Sequence, residues 1–106
     1  MRITVPTARV LAALLADPHA DHYGLELMQH CGLASGTLYP ILHRLADAGW
    51  VERHWERIDP SEAGRPARRL YRLTGEGATQ ARQALAELRA QLGGGPATAT
   101  DPRPAW

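Results

Sequence analysis

Apolar residues recur along this chain with two different periods. From Thr4-Val5-Pro6 onward, Ala8, Leu11, Leu14 and Leu15 step at helical spacing. They predict a first helix that reaches Ala16 and is stopped by Asp17-Pro18. Val10 and Ala12 widen its apolar stripe. A stripe that wide fits a fully buried helix, or one that meets its own core on one side and a second chain on the other. His19-Ala20-Asp21-His22 reads as a loop, with His22 or Asp21 capping the next helix. Tyr23 to Cys31 predicts that second, short helix, carrying Leu25, Leu27 and Met28, with Gly32 in the terminating position. Leu33-Ala34 leads straight into a third.

That third helix runs from Ser35 toward Ala48-Gly49. Ser35 is expected to cap it, and Pro40 to be tolerated near its start. On a 3.6-residue period, Leu38, Ile41, Leu42 and Leu45 share one side; Gly36, Pro40, His43 and Asp47 share the other, flanked by Thr37, Tyr39 and Arg44. One side is greasy and the opposite side is small or polar with hydrogen-bond donors. A helix built to enter the DNA major groove needs that shape, since it must be anchored behind and slim in front. A simple amphipathic core helix shows the same pattern, so the downstream residues decide. Two short helices joined by a brief turn containing Gly32 have helix-turn-helix spacing.

The period then changes. Trp50-Val51-Glu52-Arg53-His54-Trp55-Glu56 is rich in aromatic and β-branched residues with partial alternation, and predicts a strand. Arg57 to Pro66 holds turn chemistry in Asp59-Pro60 and Gly64-Arg65-Pro66, and Ala67 to Leu73 reads as the returning strand. The register stays open, because Leu70 alternates poorly with Tyr71 and Leu73. The result is a hairpin wing with Arg57–Pro66 as its tip. Thr74 caps a last helix with Glu76 in its first turn. Ala78, Ala81, Leu85, Leu88 and Leu92 form a seam with alternating steps of three and four. The seam is too short for a free coiled coil, so it packs on its own domain or, the favoured reading, on a second chain together with Leu11 and Leu14. The expected fold is therefore mainly α, a winged helix-turn-helix over 1–73, a dimerisation helix over 74–92, and a disordered tail over 93–106.

Composition adjusts this picture. At 106 residues the chain makes one domain, and with no Phe its core must come from Leu, Ile, Val and Ala. The 12 basic residues are all Arg, a planar fork suited to phosphate and guanine. Net charge is only +1, so placement matters more than the total. Six Arg stand between Arg53 and Arg72, and Gly64-Arg65-Pro66-Ala67-Arg68-Arg69 forms a local basic arm. A Gly/Pro arm with Arg follows phosphates or enters a minor groove, whereas most charge runs are merely solvated; the adjacent helix-turn-helix favours DNA. A single cysteine, the lack of a membrane-length apolar run and a start without a secretory signal place the chain in the cytoplasm.

Other chemistry is sparse. Asp17, His19, Asp21 and His22 crowd one loop with His30 and Cys31 nearby, but no pair has the spacing of a zinc site, and no cofactor is expected. No phosphate loop or nucleophile elbow is present, and His30 and Cys31, adjacent on a helix, point apart, so the chain is not read as an enzyme. Cys31 is expected to be a buried small residue. Trp50, Trp55 and Tyr71 are expected to pack behind the wing.

Ser35-Gly36-Thr37-Leu38-Tyr39-Pro40-Ile41-Leu42-His43-Arg44-Leu45, followed by Ala48-Gly49-Trp50-Val51, resembles the signature of PadR-type transcriptional regulators. The resemblance runs from about Val10 to Leu85. One departure is Ala46, where an acidic residue often follows Arg-Leu; it removes a helix-surface salt bridge. The resemblance implies a winged helix-turn-helix that binds operators as a homodimer, paired through its first and C-terminal helices, and in some members a small-molecule effector. Together these readings make the chain a sequence-specific regulator of double-stranded DNA, a repressor, with a winged-helix protein-interaction module as the alternative. The residues expected to meet DNA are Ser35, Thr37 and Tyr39 through hydroxyls, Arg44 at a phosphate or guanine, His43 at a base or simply in solvent, Gly36 and Pro40 by allowing close approach, and Arg65, Arg68 and Arg69 on the wing.

Overall fold

The computed structural model of the chain describes residues 1–93. Eight elements succeed one another: helix α1 (Val5–Leu15), strand β1 (His22–Tyr23), helices α2 (Gly24–Cys31) and α3 (Ser35–Asp47), strand β2 (Val51–Trp55), a short helix α4 (Pro60–Ala63), strand β3 (Arg69–Leu73) and helix α5 (Gly75–Gln91). The expected disordered tail lies, apart from Gly93, outside the described residues.

Local chemistry sets most boundaries. Thr4 caps α1 by accepting from the Thr7 N–H at 3.3 Å. Gly32 ends α2 with φ 67°, a left-handed conformation that costs glycine little. Two expected caps are corrected. Ala34, not Ser35, is the cap residue of α3; its extended backbone brings its carbonyl to the N–H groups of Thr37 and Leu38, both at 3.0 Å. Ser35 is thus the first helical residue. Tyr23, not His22 or Asp21, precedes α2, and the Glu26 carboxylate accepts its N–H at 3.3 Å.

The wing is a three-stranded antiparallel sheet in the order β1-β3-β2 rather than a two-stranded hairpin. His22 pairs with Tyr71 and Tyr23 with Leu70 along the second edge of β3. A two-residue strand carries no readable period, which is why the sequence pattern shows only a loop there. The register left open is now explicit: Val51 faces Leu73, Arg53 faces Tyr71 and Trp55 faces Arg69. Tyr71 and Leu73 point into the core and Leu70 to the opposite face. The tip is not irregular throughout. Asp59 accepts from the Ser61 N–H at 2.9 Å, starting α4, and Gly64 ends it with φ 72°.

One core holds these elements together. Val10, Leu11 and Leu14 of α1, Leu27 of α2, four residues of α3, Val51, Tyr71 and Leu73 of the sheet and Ala81 of α5 are all buried. The first turns of α5 belong to it. The Thr74 hydroxyl donates to the Gly49 carbonyl at 2.7 Å and accepts from the Gly77 N–H at 2.9 Å, and Gly77 lies against the Trp50 carbonyl with no room for a Cβ. The seam of α5 therefore divides. Ala81 is fully enclosed, Ala78, Leu85 and Leu88 are half-buried, and Leu92 is exposed. Leu11 and Leu14 are likewise enclosed by their own chain, which removes them and Ala81 from any surface a second chain could touch. The face that α1 leaves open is Val5, Ala8 and Ala12, and it joins Leu85, Leu88 and Leu92 in an apolar groove of about 340 Å³ edged by Arg9 and Arg89.

Candidate nucleic-acid interface

Helix α3 is anchored as its pattern dictates. Leu38, Ile41, Leu42 and Leu45 are at most 3% exposed. At about 1.5–3 kcal/mol each, their burial fixes the rotation of the helix about its axis. The opposite face, Ser35, Gly36, Thr37, Tyr39, Pro40, His43 and Arg44, is exposed along its whole length. Because Ser35 caps nothing, its hydroxyl is not used by its own helix. Pro40 lies inside the helix, beyond the first turn, so it does withhold a helical hydrogen bond, from the Gly36 carbonyl. Gly36 is exposed, and water or a ligand donor can reach that oxygen. The Tyr39 ring lies on Gly24 at the start of α2, where any Cβ would collide with it. A glycine in the second helix thus sets the direction of a side chain on the third.

The arginines of the wing do not share one face. Successive residues of a strand point to opposite faces, and this sorts the arginines. Arg53, Trp55 and Arg69 share the face of the sheet that carries Val51, Tyr71 and Leu73, the side on which α3 packs. The Arg53 guanidinium reaches the His43 imidazole, Nη1 to Nδ1 at 3.5 Å. Arg69 lies over the Trp55 ring at 4.8 Å, an arrangement worth about 0.5–1 kcal/mol at an exposed site. Trp55 itself is 59% exposed rather than packed behind the wing; Tyr71 is buried and Trp50 half-buried. Burial pushes the Tyr71 phenol above its ordinary pKa, and Tyr39 adds to the rise, while Arg69 and Arg53 oppose it. Tyr39, Arg69 and Tyr71 line one shallow cavity between α2, α3 and the sheet.

Arg65, Arg68 and Arg72 make contacts within their own chain. Arg65 is held by Glu56 through two hydrogen bonds, at 2.7 and 3.0 Å, and the same carboxylate accepts the Arg68 backbone N–H at 3.2 Å. The Arg65 bonds foremost hold the Glu56 carboxyl down to about 2. Arg65, expected at DNA, is therefore neutralised within its own chain. The Arg68 guanidinium lies over Tyr23 at 4.1 Å, on the β1 side. Arg72 donates to both oxygens of Asp21 at 2.9 and 3.1 Å, and His54 meets Asp21 at 3.3 Å. These bonds, led by that of Arg72, lower the Asp21 pKa. Sequence reasoning missed Arg53 and Trp55. Their odd-numbered parity with Arg69 was the available signal, and it needed the strand register to be read.

The acid- and histidine-rich loop before α2 is occupied by these contacts, and among the described residues no group of three or more His, Cys, Asp or Glu side chains could hold a metal ion. His22 is buried, its ring within 3.3 Å of the Asp17 carbonyl. Cys31 is buried as expected; burial raises its thiol pKa, and the sulfur lies 3.6 Å from the Arg9 carbonyl. Among the described residues no helix is long and apolar enough to cross a membrane.

Comparison with known proteins agrees with this architecture. No curated protein matches the sequence. Among solved structures, AbfR of Staphylococcus epidermidis is 27% identical with a TM-score of 0.65, over 85% of this chain and 55% of AbfR. A DNA-bound, overoxidised form of AbfR matches at 28% identity and a TM-score of 0.64, over 85% of this chain and 60% of that one. The PcaV regulator of Streptomyces coelicolor, in complex with its natural ligand, is 28% identical with a TM-score of 0.62, over 86% of this chain and 58% of PcaV. A PadR-like transcription factor from Bacteroides fragilis shares the fold at 22% identity and a TM-score of 0.61, over 82% of each chain. The chain thus spans little more than half the length of AbfR and PcaV. The profile of the transcriptional regulator PadR-like family matches residues 10–83. The chain belongs to the PadR-like family of transcriptional regulators.

Proposed function

We propose that the protein is a homodimeric, sequence-specific double-stranded DNA-binding repressor. The observation that carries this reading is the continuous ridge formed by the exposed face of α3 and the Arg53–Trp55–Arg69 face of the wing. It offers hydroxyls and guanidinium groups on a rigid backing, with Gly36 and Pro40 keeping the helix slim. AbfR, similar in fold and sequence, has been solved on DNA, which supports the same use of the ridge here. The second copy sits on the α1–α5 groove. A two-fold axis there would bring Val5, Ala8 and Ala12 against Leu85, Leu88 and Leu92 of the other copy, and the operator expected of such a dimer is a pseudo-palindrome with half-sites about one helical turn, roughly 34–36 Å, apart. PcaV binds a natural ligand, and a small-molecule effector that relieves repression is the corresponding reading for this chain.

Arg44, Arg53 and Arg69 from two protomers give about six cationic contacts, so log Kd should rise with log salt at a slope of about 5. Fluorescence anisotropy on duplexes from the protein's own upstream region, over a salt series, tests the reading. Tight, salt-steep binding with a two-to-one protomer-to-duplex stoichiometry is expected. Absence of binding at low salt would instead favour a winged-helix module for a protein partner.

A further inference from the structure

Arg53 is the ridge arginine that no sequence pattern singled out. Its guanidinium leaves strand β2, is exposed, and has no carboxylate partner among the described ion pairs, unlike Arg65 and Arg72. Its polar side-chain contact is the His43 Nδ1 at 3.5 Å. A guanidinium can only donate, so Nδ1 must be the accepting nitrogen, and the neutral ring then carries its proton on Nε2. At 3.5 Å, the long end of hydrogen-bond range, the contact favours that tautomer. It turns His43, on the exposed face of α3, into a donor, and sets it beside the remaining N–H groups of Arg53. The pair presents donors only. In the major groove, guanine is the base whose edge offers two adjacent acceptors, N7 and O6.

Resting on the reading as a DNA-binding regulator, we propose that Arg53 and His43 act as one base-reading unit that selects a guanine at a single position of each half-site. Arg53 supplies the fork, and His43 both orients it and adds the Nε2–H. The wing strand, rather than the wing tip, thereby contributes sequence discrimination. Arg69, stacked on Trp55, contributes phosphate attraction that is indifferent to sequence.

The test is selection of bound sequences from a randomised duplex pool, with titration of the winning duplex and its single-base variants. Parent, Arg53→Lys, Arg53→Ala, His43→Ala and the double Ala variant are compared, each checked for folding by circular dichroism. The parent should show one guanine position per half-site at which replacement costs about 5- to 100-fold in affinity. Arg53→Lys keeps the charge but loses the fork, and should lose most of that preference while retaining the salt slope. His43→Ala should relax the same position, and the double variant should cost less than the product of the two singles. Even weakening across all duplexes by Arg53→Lys and Arg53→Ala, or a His43 effect at a different position, would overturn the proposal while leaving DNA binding intact. A parent that binds no duplex at low salt would overturn the underlying reading as well.

Discussion

Gly77 and Gly24 are both helical glycines with no space for a Cβ, and they should respond to alanine in opposite ways. At Gly77 the added methyl would strike the backbone carbonyl of Trp50. That carbonyl cannot yield, because it accepts from the Thr74 N–H at 3.0 Å and from the Thr74 hydroxyl at 3.3 Å. Helix α5 must lift instead. Overpacking of this kind costs about 1–3 kcal/mol, and loss of the Thr74 cap adds about 1 kcal/mol. The better helix propensity of alanine returns at most about 1 kcal/mol. The net loss is about 1–3 kcal/mol, which for a domain of this size lowers Tm by about 4–24 °C. At Gly24 the methyl would meet the far end of the Tyr39 side chain, which is 43% exposed and can swing away. Gly24→Ala should therefore change stability by less than about 1 kcal/mol yet weaken DNA binding about 5- to 10-fold, the worth of one hydrogen bond. Thermal unfolding at one fixed protein concentration, read by far-ultraviolet circular dichroism, compares the two. If Gly77→Ala melted within about 2 °C of the parent, or less severely than Gly24→Ala lost heat stability, the steric argument would be wrong.

The same contacts set three further outcomes. Glu56 titrates at about 2 when folded against an ordinary 4.5, so its contribution to wing order is complete above pH 4.5 and is lost as pH falls toward 2; the fluorescence of Trp55 should report that loss in the parent, and Glu56→Gln should abolish it, whereas superimposable acid profiles would count against the Arg65 clamp. Leu88→Glu with Leu92→Glu, on the open side of α5, should leave the helical spectrum intact while converting dimers to monomers in sedimentation velocity; dimers that persist would place the interface elsewhere. Arg69→Ala should weaken binding to all duplexes and lower the salt slope by about two per dimer, while Arg65→Ala leaves the slope unchanged because Glu56 already neutralises that charge; equal flattening by both would restore the wing-tip arm.

The helical part of the fold was legible because its signals are local. Thr4, Gly32 and Thr74 act at helix ends through their own side chains or backbone, and the Leu38–Leu45 stripe needs only a 3.6-residue period to be seen. What escaped depends on distant partners. Strand β1 exists because β3 has a second edge to fill, and Tyr23 and Leu70 meet across 47 positions of sequence. The periodicity of α1 showed a wide stripe but not which part of it was covered; Leu11 and Leu14 face the chain's own core, and the open side is rotated to Val5, Ala8 and Ala12. Burial by one's own chain and burial by a second chain demand the same residue types, so composition alone does not separate them.

The same distinction explains the wing. In sequence, Arg65, Arg68 and Arg69 look like one basic arm with Arg72 close behind, but charge adjacent along a strand is not charge adjacent in space. The pleat sends Arg72 toward Asp21, while Arg53 and Arg69 go to the side of α3. A slip of one residue between β2 and β3 would exchange these sets, presenting His54 and Glu52 to the ridge in place of Arg53. The pairing of His22 with Tyr71 and the bidentate Asp21–Arg72 bond hold β3 against that slip from its far edge. Asp21 bonds Arg72 and His54 on the opposite face of the sheet from Arg69, and Asp21→Ala should lower affinity by loosening the register that puts Arg53 beside His43. Increased amide hydrogen exchange along β3 should accompany that loss. Lost affinity with β3 protection unchanged would mean that Asp21 acts by some path other than the register.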